Sequence, residues 1–382
     1  MRIVADANVA RVSEAFADVG ELVLRPGRSI TPDELRGADA LLTRSITRVG
    51  PQLLDDSSVR FVGSTTIGTD HVDKEYLKKR NITFTSAPGS TAPPVAEWFV
   101  AALLVLARRR GWHVQDKTLG VIGIGNVGRR VARFSEAMGM QVIRNDPPLA
   151  RSTGDPIYRP IEELTAVDII TVHTPLTRNG ADATFHLIDA DFLARLKPGV
   201  IIINAARGAI VDGDALRAAL ESGHVSDALL DVWEAEPKVD LALLDKVAIG
   251  TPHVAGHSLD GKVRGTEMIY RAFCTCFGLT PTWNPWPTLP PAHVAELAVD
   301  ATNRHDDDVL REVVLSANAV EVDDTRLRAV ADQPPEQRAE YFDHLRATYP
   351  MQREFPATTV TLQGGTADLA AKLTTLGFRV QS

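Results

Sequence analysis

The sequence predicts an α/β protein built on a doubly wound parallel sheet, and two observations carry that prediction. Apolar runs of buried-strand type recur at Ile169 to His173, Val200 to Asn204, Ala228 to Val232 and Val247 to Gly250, separated by helical segments such as Leu216 to Ser222. Strands that alternate with helices pair in parallel, because each return across the sheet needs a crossover. The second observation is the stretch Thr118 to Asp146, which reads as strand, glycine-rich turn, helix and strand, a complete βαβ unit.

The other elements follow in chain order. From Met1 to about Pro88, apolar runs at Ile3 to Ala5, Ala40 to Thr43, Arg60 to Gly63 and Ile82 to Thr85 alternate with helix-like stretches, as in a small α/β domain. A long helical pattern covers Pro94 to Arg110. After Gly256 a second one covers Leu259 to Phe277, and the Pro- and Trp-rich stretch Thr280 to Pro291 marks a boundary. The unit beyond it starts with an acidic helix at Asp306-Asp307-Asp308. It continues with a strand at Thr358 to Leu362, a helix at Ala367 to Leu376 and a strand at Phe378 to Gln381.

The 382 residues suffice for two or three domains, each with its own core. The 44% hydrophobic and 24% charged content is that of a folded globular chain. With 41 Lys and Arg against 49 Asp and Glu, the net charge of −8 repels polyanions, so nucleic acid is not an expected partner. Cys274 and Cys276, the only cysteines, sit two apart on a helical pattern and face different ways, which fits a reducing compartment. The apolar run Trp98 to Ala107 is about half the ~20 residues of a membrane helix and closes on three arginines, so it reads as a buried helix. No signal-peptide pattern precedes the first strand, and a cytoplasmic protein without membrane contact is expected.

Gly123-x-Gly125-x-x-Gly128 lies between a strand (Leu119 to Ile122) and a helix (Val127 to Met138). That context turns a weak glycine pattern into a dinucleotide signal. The glycines allow a tight turn and close approach of a pyrophosphate, and the helix start offers N–H groups. Asp146 ends the next strand, where a carboxylate accepts from ribose hydroxyls and repels a 2′-phosphate, so NAD is favoured over NADP. The alternative is a glycine-rich turn in an unrelated βαβ fold.

Arg207, Glu236 and His253 each follow a strand at its C-terminal end, where open α/β sheets bind ligands. Their types suit oxidation of a hydroxy acid. His253 takes the hydroxyl proton, Glu236 fixes its tautomer and stabilises the imidazolium, and Arg207 clamps a substrate carboxylate. Taken singly, each has a bland reading as a solvated or salt-bridged surface group. His253 and His257 share a spacing that could ligate zinc, but Pro252 and Gly256 oppose a helix through both, and no metal is expected.

At these residues the chain resembles the D-2-hydroxyacid dehydrogenase superfamily, in GIGNVG, HTPLT, LKPGVIIINAARGAIVD, LDVWEAEP and TPHVAG, in that order. The resemblance implies a discontinuous flavodoxin-like substrate domain (1–92 with a return segment 257–280) and a Rossmann-type NAD-binding domain (93–256). It also implies a small C-terminal α+β dimerisation domain (287–382), hence a homodimer that a cut near Pro287 should leave as a soluble monomer. It assigns Arg207, Glu236 and His253 the roles given above.

Further markers are Arg44-Ser45, Phe61-Val62-Gly63 through Thr66 to His71, Ser86-Ala87-Pro88-Gly89 and Asp146-Pro147-Pro148. Others are Ser258 to Lys262, Arg264-Gly265-Thr266, Arg304 to Asp308 and Tyr349-Pro350. They are similar to the branch that oxidises 4-phospho-D-erythronate in pyridoxal 5′-phosphate biosynthesis. Carried over by position, Ser45, Thr66 and His257 would contact substrate. NAD would be held by Gly123, Gly125, Asn126, Val127, Gly128, Asp146, Thr174, Ala205, Asp231 and Gly256. His257 stands where that branch has a tyrosine, and Arg44, Lys262 and Arg264 are cations that could serve the phosphate. The rival readings are the same chemistry on another phosphorylated acid such as 3-phosphoglycerate, and an NAD-sensing corepressor on the same fold.

Overall fold

The computed structural model of the chain describes residues 1–381. Contacts within it define two units, one made of residues 1–91 and 257–290, the other of 92–256 and 291–382.

The first unit carries β1 (Arg2–Asp6), β2 (Glu21–Arg25), β3 (Ala40–Thr43), β4 (Phe61–Ser64) and β5 (Thr83–Thr85). All pair in parallel in the order β2-β1-β3-β4-β5, the flavodoxin-like winding. Strands β3 and β4 are buried at every position, as continuous apolar runs require. Strand β2 was not among the expected runs, because as an edge strand it is exposed at both charged ends and only half-buried between them. The returning helix Leu259–Phe277 is capped by Ser258, whose hydroxyl accepts from Gly261 N–H, and ends at Gly278 in the left-handed conformation. It packs Ile269, Tyr270, Phe273 and Cys274 against Ile3, Leu42 and Phe61. Cys276 points outward.

The second unit carries β6 (Thr118–Ile122), β7 (Gln141–Asn145), β8 (Ile169–Val172), β9 (Val200–Asn204), β10 (Val225–Leu230) and β11 (Ile249–Gly250). They form a parallel sheet ordered β11-β10-β9-β8-β6-β7. The winding therefore reverses at β6, which has β7 on one side and β8 on the other, and ligands of such sheets bind beyond that point.

The helix Ala92–Arg110 is buried from Val95 to Ala107 on all faces. One cluster joins it to sheet residues such as Val121 and Ile201, and also to Val309, Leu310, Val313 and Val314 of the helix Asp306–Ala317. An apolar helix with no polar face needs such two-sided cover.

The segment after Pro291 clusters with 92–256 rather than forming a compact unit of its own. Its three strands, β12 (Glu296–Asp300), β13 (Thr359–Gln363) and β14 (Arg379–Gln381), all run parallel. The helix Ala367–Leu376 crosses over from β13 to β14, so this part is wound as α/β rather than α+β. The sequence reading missed β12, where only Val299 is buried. Among the described residues no helix is long and apolar enough to cross a membrane.

Candidate active site

The turn after β6 is built by its glycines. Gly123 has φ +88°, and a Cβ there would lie 2.8 Å from Thr174 Cγ2, while a Cβ on Gly128 would meet the Gly123 carbonyl oxygen at 1.9 Å. Gly125 by contrast faces open space. Beside the turn, Thr174 Oγ1 and His173 Nδ1 are buried without a hydrogen-bond partner. Burial pushes the His173 imidazole down to about 3, although part of the residue remains accessible, so it stays neutral. Orphaned polar atoms beside an open glycine face fit a dinucleotide whose own groups would complete them.

Asp146 was expected to end β7, and it instead caps the helix Pro147–Thr153, with Oδ1 accepting from Leu149 N–H at 3.0 Å. Oδ2 accepts from Ile124 N–H at 2.8 Å, which ties the carboxylate to the glycine turn. Asn126 accepts from Arg129 through its side chain and from Arg130 through its carbonyl, and Val127 is the residue just before the helix Gly128–Ala137.

Three loops at the C-terminal ends of β9, β10 and β11 carry the expected catalytic trio. His253 Nδ1 lies 2.6 Å from Glu236 Oε1. Burial raises the Glu236 carboxyl, but the hydrogen bond and charge of His253, the Trp233 N–H and the Arg346 guanidinium outweigh it and hold the pKa below the usual value. His253 itself has φ +57°, strained backbone for a non-glycine residue, and its N–H donates to the Asp231 carbonyl at 2.7 Å. The Asp231 carboxylate is 1% exposed. It accepts from Thr251 Oγ1, Val254 N–H and Ala255 N–H, so it shapes the loop that presents His253 and leads on to Gly256. Burial raises its pKa, with the His253 charge opposing.

Arg207 follows Ala205 and Ala206 in a loop stapled by buried Asn204, whose Nδ2 donates to the Arg207 carbonyl and whose Oδ1 accepts from Ala206 N–H. A Cβ on Gly208 would lie 2.0 Å from the Trp233 carbonyl carbon, so this glycine lets the Arg207 loop press onto the Glu236 loop. The guanidinium donates only to the Ala206 carbonyl, and among the described residues no carboxylate pairs with it. A cation in that state suits an anionic substrate group.

The expected substrate residues lie in the first unit. Ser45 is exposed just past β3, and Thr66 is half-buried just past the neighbouring β4, its hydroxyl bonded to Ser64 Oγ at 2.9 Å and to the Gly68 carbonyl. His257 is half-buried at the start of the return segment. Sequence reasoning missed the residues that hold these loops from a distance. Asp324 accepts from the buried Gly250 N–H at 2.7 Å, and Arg328 bridges Asp324 to the Leu244 and Val247 carbonyls, all in the stretch that leads up to His253. Their only sequence signal is an Asp and Arg four apart on a helix.

Residues 97–255 match the family model described as D-isomer specific 2-hydroxyacid dehydrogenase, NAD binding domain, and 288–377 match a domain of unknown function. The chain is 47% identical to the erythronate-4-phosphate dehydrogenase of Salinibacter ruber, covering 94% of each chain. It is 40% identical to that of Marinobacter nauticus over 100% of both. Among solved structures, D-lactate dehydrogenase from Aquifex aeolicus, complexed with NAD and lactic acid, superposes with a TM-score of 0.59 at 27% identity. That match covers 73% of this chain and 96% of the other. A glycine turn, a carboxylate just past the next strand, a His–Glu pair and an arginine with no carboxylate partner among the described residues thus coincide with likeness over nearly the whole chain, and the chain belongs to the erythronate-4-phosphate dehydrogenase family of the D-isomer specific 2-hydroxyacid dehydrogenases.

Proposed function

We propose that the protein oxidises 4-phospho-D-erythronate at its 2-hydroxyl to (R)-3-hydroxy-2-oxo-4-phosphooxybutanoate, a step of pyridoxal 5′-phosphate biosynthesis. The observation that carries this reading is the 2.6 Å contact between His253 and Glu236, with an Arg207 that pairs with no carboxylate among the described residues on a loop packed against the Glu236 loop. With Nδ1 turned to Glu236, the other ring nitrogen of His253 takes the hydroxyl proton. Glu236 stabilises the imidazolium that results. Arg207 holds the substrate carboxylate and the reacting oxygen, so that charge developing there meets a fixed guanidinium.

Bound NAD supplies the hydride acceptor. Gly123, Gly125, Asn126, Val127 and Gly128 would receive its pyrophosphate and Asp146 its adenosine ribose, while Thr174, Ala205, Asp231 and Gly256 would line the rest. Ser45, Thr66 and His257 bind substrate from residues 1–92 and 257–280. Residues 287–382 make the homodimer, and the enzyme works in the cytoplasm. NADH absorbance followed with 4-phosphoerythronate and, separately, 3-phosphoglycerate tests the reading. Turnover of the first at least tenfold faster supports it, and preference for the second, or turnover of neither, overturns it.

A further inference from the structure

The loop after the helix Ala92–Arg110 carries an imidazole that the proposed reaction does not use. Trp112 packs against the apolar cluster and Val114 is fully buried, so the loop is anchored on both sides of His113, whose ring is left half-exposed. A second imidazole reaches the same place from the start of the helix Asp306–Ala317. His305 immediately precedes that helix, and its ring stacks on His113 with centroids 3.8 Å apart and planes inclined at 27°.

Asp307 is the third group. Its Oδ2 accepts from Val114 N–H at 3.0 Å and lies 3.2 Å from His113 Nδ1. The helix opens on three acids, and the other two are matched by fixed cations: Asp306 pairs with Lys372 at 2.6 Å and Asp308 with Arg311 at 2.8 Å. Asp307 has no lysine or arginine partner among the described residues, and its side chain is 14% exposed. A carboxylate pinned by a backbone N–H, with imidazole rather than a permanent cation beside it, is left to meet a cation from solution.

One donor atom from each of the three residues lies within 4.8 Å of the other two. An ion with bonds of about 2.0–2.2 Å sets tetrahedral ligand atoms about 3.4 Å apart. His113 Nδ1 and Asp307 Oδ2, at 3.2 Å, already stand close to that separation, and a small turn of the exposed His305 ring closes the rest. His305 Nδ1 accepts from Asp307 N–H at 3.2 Å, the long end of the hydrogen-bond range, so an ion displaces little there. Two nitrogens and one oxygen are a donor set for ions of the zinc type, whereas magnesium and calcium take oxygen ligands.

We propose that His113, His305 and Asp307 form a binding site for a divalent transition-metal ion of the zinc class, with water completing its coordination. Such an ion fastens the loop that ends the helix Ala92–Arg110 to the start of the helix whose Val309, Leu310, Val313 and Val314 cover it. It favours the folded chain, because His113 and Asp307 lie 194 positions apart in sequence and meet only through the fold. None of the three residues takes part in the proposed reaction, so the site stands or falls separately from it.

The test titrates zinc chloride into the metal-stripped, full-length protein by calorimetry at about pH 7.5, where free imidazole is neutral. Wild type is compared with His113→Gln, His305→Asn and Asp307→Asn; both histidines are exposed, and asparagine at 305 keeps a helix-capping side chain. Wild type should bind one ion per chain with a dissociation constant below about 100 μM, and each variant should bind at least about tenfold more weakly. Weaker binding by wild type, or a smaller change in either histidine variant, overturns the proposal. Thermal melts give a second measure. Zinc at about 100 times its dissociation constant should raise the Tm of wild type by several degrees and leave those of the variants nearly unmoved. Equal shifts in wild type and variants would place the zinc elsewhere and overturn the assignment.

Discussion

A carboxylate 2.6 Å from Nδ1 leaves His253 with a single nitrogen for chemistry and a countercharge for the proton it gains. Glu236→Gln removes the countercharge and keeps the shape. The acidic limb of the kcat/KM profile for hydroxy-acid oxidation should then move to lower pH, because the imidazolium is less stabilised and sheds its proton more readily. An unmoved limb would show that the contact does not govern the titration. Arg207→Ala should lower kcat/KM by roughly 10²-fold or more while the NAD dissociation constant stays within about twofold, since one charge-assisted pair to the substrate is lost. Parallel weakening of NAD binding, measured by fluorescence titration, would contradict that role. The trio was legible because each residue comes directly after a buried apolar run, so strand position alone placed it at the ligand-binding edge. Asp324 was not legible: its partner lies 74 residues away in sequence, and an Asp reads the same whether solvated or buried.

Elements announced themselves in proportion to how completely they are buried. Strands β3, β8 and β9, buried at every position, and the helix Leu259–Phe277 with its Ser258 and Gly278 caps could be bounded closely. The edge strands β2 and β12 could not, because polar ends and half-exposed centres leave no periodic signal. The loops between strands depend on contacts that the sequence does not display. Gly208→Ala would drive a methyl to 2.0 Å from the Trp233 carbonyl carbon, forcing the Arg207 and Glu236 loops apart. We expect a stability loss of about 1–3 kcal/mol in denaturant melts and a fall in kcat larger than the change in NAD affinity. Asp324→Ala would strip the buried Gly250 N–H of its acceptor and Arg328 of its carboxylate. A loss of roughly 1–3 kcal/mol is expected, and an unchanged melting curve would mean that water replaces the carboxylate.

At the scale of the whole molecule, one buried acid gives stability a pH dependence. Asp323 is 3% exposed; burial first, and the charge of Asp231 last, raise its pKa to about 6 against the Tyr349 hydrogen bond and the Arg326 charge. A folded-state pKa above the unfolded 3.8 means that the fold prefers the protonated form. The group's contribution is therefore complete below about pH 4 and is lost as pH rises through about 6. Asp323→Asn should raise the Tm by several degrees at pH 8 and by little at pH 5. Equal shifts at both would assign the effect to packing.

The expectation that a cut near Pro287 leaves a soluble monomer conflicts with the packing. The cut would uncover helix Ala92–Arg110 where Val309, Leu310, Val313 and Val314 cover it, at about 1.5–3 kcal/mol per side chain. We expect aggregation, visible as dye binding and light scatter, rather than a compact truncated chain. The same helix has a consequence in time. Its apolar faces leave the ribosome roughly 200 residues before the helix Asp306–Ala317 that shields one of them. At ~5–20 residues per second, the wait lasts on the order of 10–40 s. For that interval the nascent chain shows a continuous greasy surface with its own partner still untranslated, the stage of synthesis at which apolar surface favours aggregation.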